Sequence, residues 1–554
     1  MQVNTWETPN PGPWQQDSAH SPCVTTAALN ELYPDGFNRG FSETFARYGV
    51  LLDRLAMASI NGFTYHQPQP FDMPGPDGPL TPEQIGAEIE RRASIAGQAF
   101  ETKLWRHDLE LWDSICKPQA IAKHREFADV ELESLTDDEL ADHLRRVTAH
   151  LSEMVYQHHR FNVAAMMPVG DFALHVAGWT GRPPTEAFGV LDGYSPVSGS
   201  LPQEMVDAVE AIRSNDEMRT LLDGDGALDA DDASARLDQL RAALPEVDEY
   251  VRSVDYRVIE GFDITGPTLR EQPDVILGKL ATGLHADAEE ARRRSDAVAA
   301  RLRADVPSEH QDEFDELLGE ARAVYRLRDE RGLYSDVAAI GLLRLTMLEV
   351  GRRAAERGSL DDREQVLDAT VDETIALLDG AGPAADDLAA RAEFRRALNA
   401  DGAPRHLGPP PPPPPPLDAL PPALGRVMAA VGLLIEGVLG ELDAAAGDDS
   451  TVIGIPGNVG VHEGVARRID EMEDLLLLED GEILVARSTG EAFNAMLHRV
   501  GGIVTDHGSF ACHAAIMARE IGFPAVVGTV NATDRIATGD RIRIDGSKGE
   551  VTIL

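Results

Sequence analysis

No stretch constrains this chain more than Gly501 to Gly528, which reads GGIVTDHGSFACHAAIMAREIGFPAVVG. Ile503 and Val504 look like the end of a buried strand, Thr505 to Ala511 like a tight polar loop. His513 to Ile521 reads as a short helix, with Gly522 past its end and Pro524 beyond. The pattern therefore predicts a strand, a loop and a helix with His513 in the first helical turn. Orphan backbone N–H groups and the positive end of the helix dipole meet at that place, so an imidazole there can carry a phosphoryl group whose charge is already accommodated. With an ordinary pKa of about 6.5, a neutral imidazole is also a nucleophile toward phosphorus near neutral pH.

Thr505-Asp506, Gly508, Cys512-His513-Ala514-Ala515-Ile516, Ala518-Arg519-Glu520 and Gly522-Phe523-Pro524-Ala525-Val526-Val527-Gly528 closely resemble the swivelling phosphohistidine domain of the phosphoenolpyruvate-utilising enzymes. That family includes phosphoenolpyruvate synthase, pyruvate phosphate dikinase, rifampicin phosphotransferase and the large subunit of phenylphosphate synthase. The resemblance reaches upstream through Gly454-Ile455-Pro456-Gly457 and Gly481-Glu482-Ile483-Leu484-Val485-Ala486, and downstream to Asp545-Gly546. It implies that His513 is transiently phosphorylated. Two positions depart from the pattern: Ser509 stands where family members often have a second glycine, and Cys512 where Thr or Ser precedes the histidine. Both bear on how the ring is oriented, and so on rate. Thr505, Ser509 and Arg519 are the candidate helpers, two hydroxyls near the loop and one guanidinium on the helix. Arg519 falls nearly opposite His513 on an ideal helix and is equally placed to pair near Glu520.

Other chemistries at this stretch fare worse. Cys512 and His513 suggest a thiol with its base, but adjacent helical residues point about 100° apart and do not face each other. His507, Cys512 and His513 supply three potential metal ligands without a fourth or a recognised zinc spacing, so no metal site is expected. No G-x-x-x-x-G-K-[ST] loop occurs; Gly454, Gly457 and Gly460 lack the lysine and read as the turn that opens the swivel domain. Nothing resembles the family's ATP-grasp domain or its phosphoenolpyruvate-binding barrel. The resemblance therefore implies no directly bound cofactor, with ATP and magnesium held by an ATP-grasp-type partner subunit, an arrangement similar to that of phenylphosphate synthase.

Composition excludes some partners. A formal charge of −44, from 50 basic and 94 acidic residues, would repel nucleic acid and anionic membranes. Lysine occurs only at 103, 117, 123, 279 and 548. Two readings fit this surface: adaptation to high salt, where carboxylate repulsion is screened, or an ordinary solvated acidic face. Three scattered cysteines, Cys23, Cys116 and Cys512, make neither a disulfide framework nor a zinc module and imply a reducing compartment. The start of the chain shows no basic and apolar leader, and the longest apolar run, Val427 to Leu439, is interrupted by Glu436; a cytoplasmic location is expected.

Residues 1 to 75 are rich in proline, glycine and aromatics and read as irregular, with rings such as Trp6, Trp14, Phe37 and Phe41 that need burial. Trp14, Asp17-Ser18-Ala19-His20-Ser21-Pro22, Gly36-Phe37, Tyr48-Gly49 and Asn61-Gly62-Phe63 resemble the start of the acceptor-binding domain of rifampicin-phosphotransferase-like proteins. Thr81-Pro82-Glu83-Gln84 and Thr136-Asp137-Asp138-Glu139 are capping boxes. After the second, Leu140, Leu144, Val147, Leu151, Met154 and Val155 recur at helical spacing, and the helix is expected to end near Pro168. His150, His158 and His159 lie on it. One of them as an acceptor-activating base is the sharp reading, but the spacing offers no partner carboxylate and the three read as partly solvated. Asp223, Asp225, Asp229, Asp231 and Asp232 fail the calcium-loop template. Arg326, Arg328, Arg331 and Arg344 form the densest basic cluster, able to steady a phosphoryl group in transit or simply to form surface ion pairs.

The expected fold is thus multidomain. A large, mainly α-helical acceptor-binding domain covers 1–448, with the polyproline run Pro409 to Pro416 as a surface loop, and a small C-terminal α/β swivelling phosphohistidine domain covers 451–554. The expected function is a phosphotransferase component. It passes a phosphoryl group from the partner subunit, through His513, to a hydroxyl of a small apolar or aromatic acceptor. The competing reading is a non-catalytic phosphohistidine carrier or regulatory interaction protein.

Overall fold

The computed structural model describes residues 5–554 apart from 19, 22, 74–77, 197–201, 223–229, 260–262, 286–287, 399–401, 411–412, 414, 440–449, 471–473, 476, 491–492, 494–495, 498 and 511. The expected boundary near 448, three prolines of the polyproline run and most of the 223–232 acidic cluster lie outside the described residues. The helices used below are α1 (Ala27–Tyr48), α2 (Pro82–Glu101), α3 (Asp137–Arg160), α4 (Asn162–Thr180), α5 (Ala288–Asp305), α6 (Leu327–Leu333), α7 (Asp336–Glu356), α8 (Pro422–Leu439) and α9 (His513–Ile521). The chain divides into two compact units: 1–167 with 253–271 and 330–428, and 168–252 with 272–329 and 429–554.

The first unit is mainly helical, with one small sheet of β1 (Trp14–Gln16), β2 (Leu52–Ile60), β3 (Phe63–Pro70) and β4 (His406–Leu407) in the order β2-β3-β1-β4. Its opening is more regular than the composition suggests. The segment expected to be irregular contains the 22-residue α1, which carries Pro34 inside it, and the antiparallel β2–β3 pair. Asn61 and Gly62 take φ of 54° and 84°, the left-handed pair that joins two strands most tightly, so the Asn-Gly step was a hairpin signal in plain view. Trp14, Phe63 and Tyr65 bury against Leu407 in one apolar cluster. Both capping boxes form: Thr81 caps α2 with Gln84 reaching back, and Thr136 caps α3 with Glu139.

Three expectations for this region change. The helix does not run from Asp137 to Pro168: α3 stops at Arg160, where Phe161 leaves helical geometry at φ −101° and ψ 5°, and α4 starts at Asn162 and carries Pro168 within it. The three histidines of α3 are not solvated. His150 is buried with Nε2 3.0 Å from His124 Nδ1, and His158 and His159 are buried as well. Arg344, from the basic cluster, is no surface residue either; it is buried and donates two hydrogen bonds of 2.8 Å to Glu271.

The second unit joins further helices to an eight-stranded sheet. Its strands are β5 (Thr451–Ile453), β6 (Ile455–Asn458), β7 (Val461–Ile469), β8 (Ile483–Ala486), β9 (Gly502–Thr505), β10 (Ala525–Val527), β11 (Arg541–Asp545) and β12 (Glu550–Ile553), ordered β5-β12-β11-β7-β8-β9-β10-β6. β7, β8, β9 and β10 run parallel to one another. Each of β8, β9 and β10 is buried on both faces, as parallel strands are. Leu484, Ala486 and Ile503 face the cluster that includes Ala514, Met517 and Ala518 of α9, while Ile483, Val485 and Val504 face a second cluster with Ile536, Ile542 and Ile544. The expected fold class, a large mainly helical part with strands and helices mixed at the C-terminal end, is the one observed.

Candidate active site

Ligand sites in parallel sheets collect where loops leave the carboxyl ends of the strands. Here the loop after β8 carries Thr489 and the loop after β9 leads into α9, and the two meet: Thr489 Oγ1 lies 2.9 Å from His513 Nδ1. The strand–loop–helix unit is as the sequence predicts. α9 begins at His513, Cys512 is its extended N-cap with no side-chain cap, and Gly522 closes it at φ 103° with its N–H donating to Ala518 O.

The loop is held stiffly. Asp506 N–H donates to Ala486 O at 3.1 Å and His507 N–H to Arg487 O at 2.8 Å. The Asp506 carboxylate accepts from Thr529 Oγ1 at 3.1 Å, from the Thr533 N–H at 3.1 Å, and from the Thr533 hydroxyl. Gly508 sits at φ 112°, and a Cβ there would lie 2.7 Å from Cys512 Sγ, so only glycine fits the turn that brings the chain back to α9.

His513 itself is half-buried, as are Thr489, Lys279, Arg328 and Asp329. Loss of water around the ring pushes its pKa down to about 4; Asp329 opposes that, while Arg328 and Lys279 add to it. The imidazole is therefore neutral near pH 7. Arg328 hydrogen-bonds Asp329 Oδ1 at 2.7 Å and Tyr325 at 2.9 Å, and Ser195 donates to the other oxygen of Asp329. Two cations and one oriented carboxylate thus act on a ring that keeps a lone pair. Such a set suits a nucleophilic nitrogen that must receive a dianionic group.

The other predicted site residues take supporting places. Thr505 is fully buried and its hydroxyl donates to His507 O at 2.9 Å, closing the loop on itself. Ser509 is buried, and its carbonyl accepts from the Cys512 N–H at 2.9 Å. Arg519 donates 2.9 Å hydrogen bonds to Gly457 O and Phe510 O and lies 3.8 Å from Asp192, so it ties α9 to β6 and the loop. Burial pushes the Cys512 thiol up, away from the reactive thiolate. Among the described residues His507, Cys512 and His513 do not converge as a metal-ligating group. Sequence reasoning missed Thr489, Lys279 and Asp329. A signal for Thr489 existed, since the loops after two adjacent parallel strands must share one edge of the sheet.

At the far end of α9, Glu520 Oε2 accepts from the Gly193 N–H at 2.7 Å, and Arg294 of α5 donates to Glu520 O. Burial pushes the Glu520 carboxyl up to about 8, with Asp192 adding to the shift, and burial pushes Asp192 itself up to about 6.

Two families match parts of the chain. Residues 478–549 match the mobile domain of the PEP-utilising enzymes, and residues 158–329 match the fourth domain of rifampicin phosphotransferase. The first match lies over the stretch from Gly501 to Gly528 and bears out the resemblance read there: this part of the chain is similar to that mobile domain. Among its relatives, a rifampicin phosphotransferase of Streptomyces sviceus is 27% identical over 371 residues, covering 65% of this chain and 40% of that protein. A chondramide synthase of Chondromyces crocatus is 29% identical over 334 residues, 57% of this chain and 8% of that protein. A rifampicin phosphotransferase of Bacillus cereus is 40% identical over 129 residues, 23% of this chain and 14% of that protein. The chain thus spans less than half the length of these relatives. Among the described residues no helix is long and apolar enough to cross a membrane.

Proposed function

We propose that this chain is a phosphotransferase component in which His513 carries a phosphoryl group from an ATP-grasp-type partner subunit to a hydroxyl of a small apolar or aromatic acceptor. The observation that carries the reading is a neutral, half-buried imidazole at a helix start, with Arg328, Lys279 and Asp329 close enough to act on its charge. In the tautomer in which Nδ1–H donates to Thr489 Oγ1, the ring's lone pair is on Nε2. That nitrogen attacks phosphorus; an N–P bond forms and the P–O bond to the nucleotide breaks, leaving with the nucleotide. In the second half-reaction the acceptor oxygen attacks, the N–P bond breaks and the hydroxyl proton passes to a base. Arg328 and Lys279 offset the charge on the phosphoryl oxygens in both. ATP and magnesium belong on the partner, and the acceptor in the helical part. The reading is supported by the likeness to proteins named phosphotransferases.

The full chain incubated with a candidate partner and ATP labelled at both the β and γ positions should form an acid-labile phosphoprotein. His513→Ala should abolish it, and equal labelling of that variant rejects the role of His513.

A further inference from the structure

The first unit holds a second concentration of imidazoles, which the reading above does not use. His158 and His159 end α3 with their rings stacked, centroids 4.3 Å apart and planes 8° from parallel. His158 Nδ1 lies 2.7 Å from Asp336 Oδ2, and Asp336, the first residue of α7, has no exposed surface. One ligand atom from each of His158, His159 and Asp336 lies within 4.8 Å of the other two, and all three residues are buried. His159 Nε2 is buried and makes no hydrogen bond, while Nδ1 sits 3.4 Å from the Asn162 amide. Phe37 and Phe41 pack on that ring at 4.4 Å and 5.3 Å between centroids.

This is a costly arrangement unless something completes it. A buried polar nitrogen without a partner costs about 1–3 kcal/mol, and an apolar side chain would fill the same space between two phenylalanines at no such cost. The carboxylate is well braced: Tyr33 OH donates to Asp336 Oδ2 at 2.5 Å and the Val337 N–H to Oδ1 at 3.1 Å. Bracing of this kind orients the ligands of metal ions. A further ring of groups stands beside it. Asp17 is 3.0 Å from His20 Nδ1 and 3.6 Å from His66 Nδ1, and His66 Nε2 is a second buried nitrogen without a partner. The nearby cation Arg331 donates to the backbone carbonyl of His158 at 3.3 Å. Asp17 and Asp336 offset it and His20, so no net positive charge opposes a dication.

We propose that His158, His159 and Asp336 bind a first-row divalent transition-metal ion. Two imidazole nitrogens and one carboxylate oxygen suit zinc, cobalt(II), manganese(II) or iron(II), whereas magnesium and calcium take oxygen ligands. Tyr33 braces the carboxylate from outside, and three protein ligands leave a position for an oxygen ligand. The site lies within the first unit and does not depend on His513 or its phosphorylation.

The test uses the full chain, stripped with a chelator and titrated with cobalt(II). One equivalent should bind with the intense visible bands of a four- or five-coordinate, nitrogen-ligated ion, and zinc should displace it while excess magnesium does not. His159→Gln and Asp336→Asn should each weaken binding at least about tenfold, and His513→Ala should leave it unchanged. A folded wild-type chain that shows only the pale spectrum of octahedral cobalt on surface carboxylates overturns the proposal, whatever the variants do. So does tight binding that survives both substitutions.

Discussion

The histidine of α9 and the histidines of α3 show what surroundings make of one side chain. His513 is half-buried, is held by Thr489 on one nitrogen, and has charged groups of both signs near it. His158 and His159 are buried, stacked on each other, and bound to a carboxylate and two phenylalanine rings. In both places loss of water lowers the imidazole pKa, so protonation state does not separate them. Exposure and packing do: the His513 ring is half-buried, while His158 and His159 are buried against each other and against aromatic rings.

The widest gap between the two sites should appear on deletion. His513→Ala should remove acid-labile labelling to background while leaving thermal unfolding close to wild type, because the ring is only half-buried and belongs to neither apolar cluster of the sheet. Asp336→Ala in metal-free protein should do the reverse. It removes the buried carboxylate that Tyr33 and His158 contact and should destabilise the first unit by about 3 kcal/mol in denaturant unfolding. Unfolding no different from wild type would mean that the α3 cluster is not tightly built, and the contrast would fail.

Smaller changes sharpen it. Glu520 has a folded pKa of about 8 against an ordinary 4.5, so its neutral form is the one the fold favours. Stability is fully present below pH 4.5 and is lost as pH rises through about 8. Glu520→Gln should flatten that slope and gain about 2 kcal/mol at alkaline pH, read from melting curves across pH. Thr489→Val removes one hydrogen bond to a half-buried ring and should slow labelling by roughly fivefold, about 1 kcal/mol, without changing stability much. Last, with the folded His513 pKa near 4 rather than 6.5, the labelling rate should change less than about twofold between pH 7 and pH 5. A drop centred near 6.5 would show a solvated ring. The same shift means that stability is lost as pH falls below 6.5 toward 4, since only the unfolded chain takes up the proton there.

Much of the reactive region was legible. Strand, loop and helix from Ile503 to Ile521 follow from hydrophobic run, glycine and helix stop, and the two capping boxes told where α2 and α3 begin. The opening of the chain was less so. Its prolines, glycines and aromatics mask the spacing of α1, and the Asn61-Gly62 step that marks the hairpin sits within a stretch whose composition is that of an irregular segment. Asp336, the partner of His158, was invisible because 178 residues separate them and local spacing says nothing about such a pair. Arg519 lies on the predicted helix, and its bonds to the Gly457 and Phe510 carbonyls join segments that local spacing does not connect.

What the sequence by itself determined is local: which residues begin a helix, where a glycine must turn the chain, and that His513 stands at a helix start. Those features depend on neighbours a few positions away, and the chain carries them directly. Only the tertiary structure decided the company each histidine keeps. It brought Thr489 to His513 from the next parallel strand and Asp336 to His158 from a distant helix. Burial is a property of the packed whole, and it removed the water that would otherwise have set the charge of all three imidazoles.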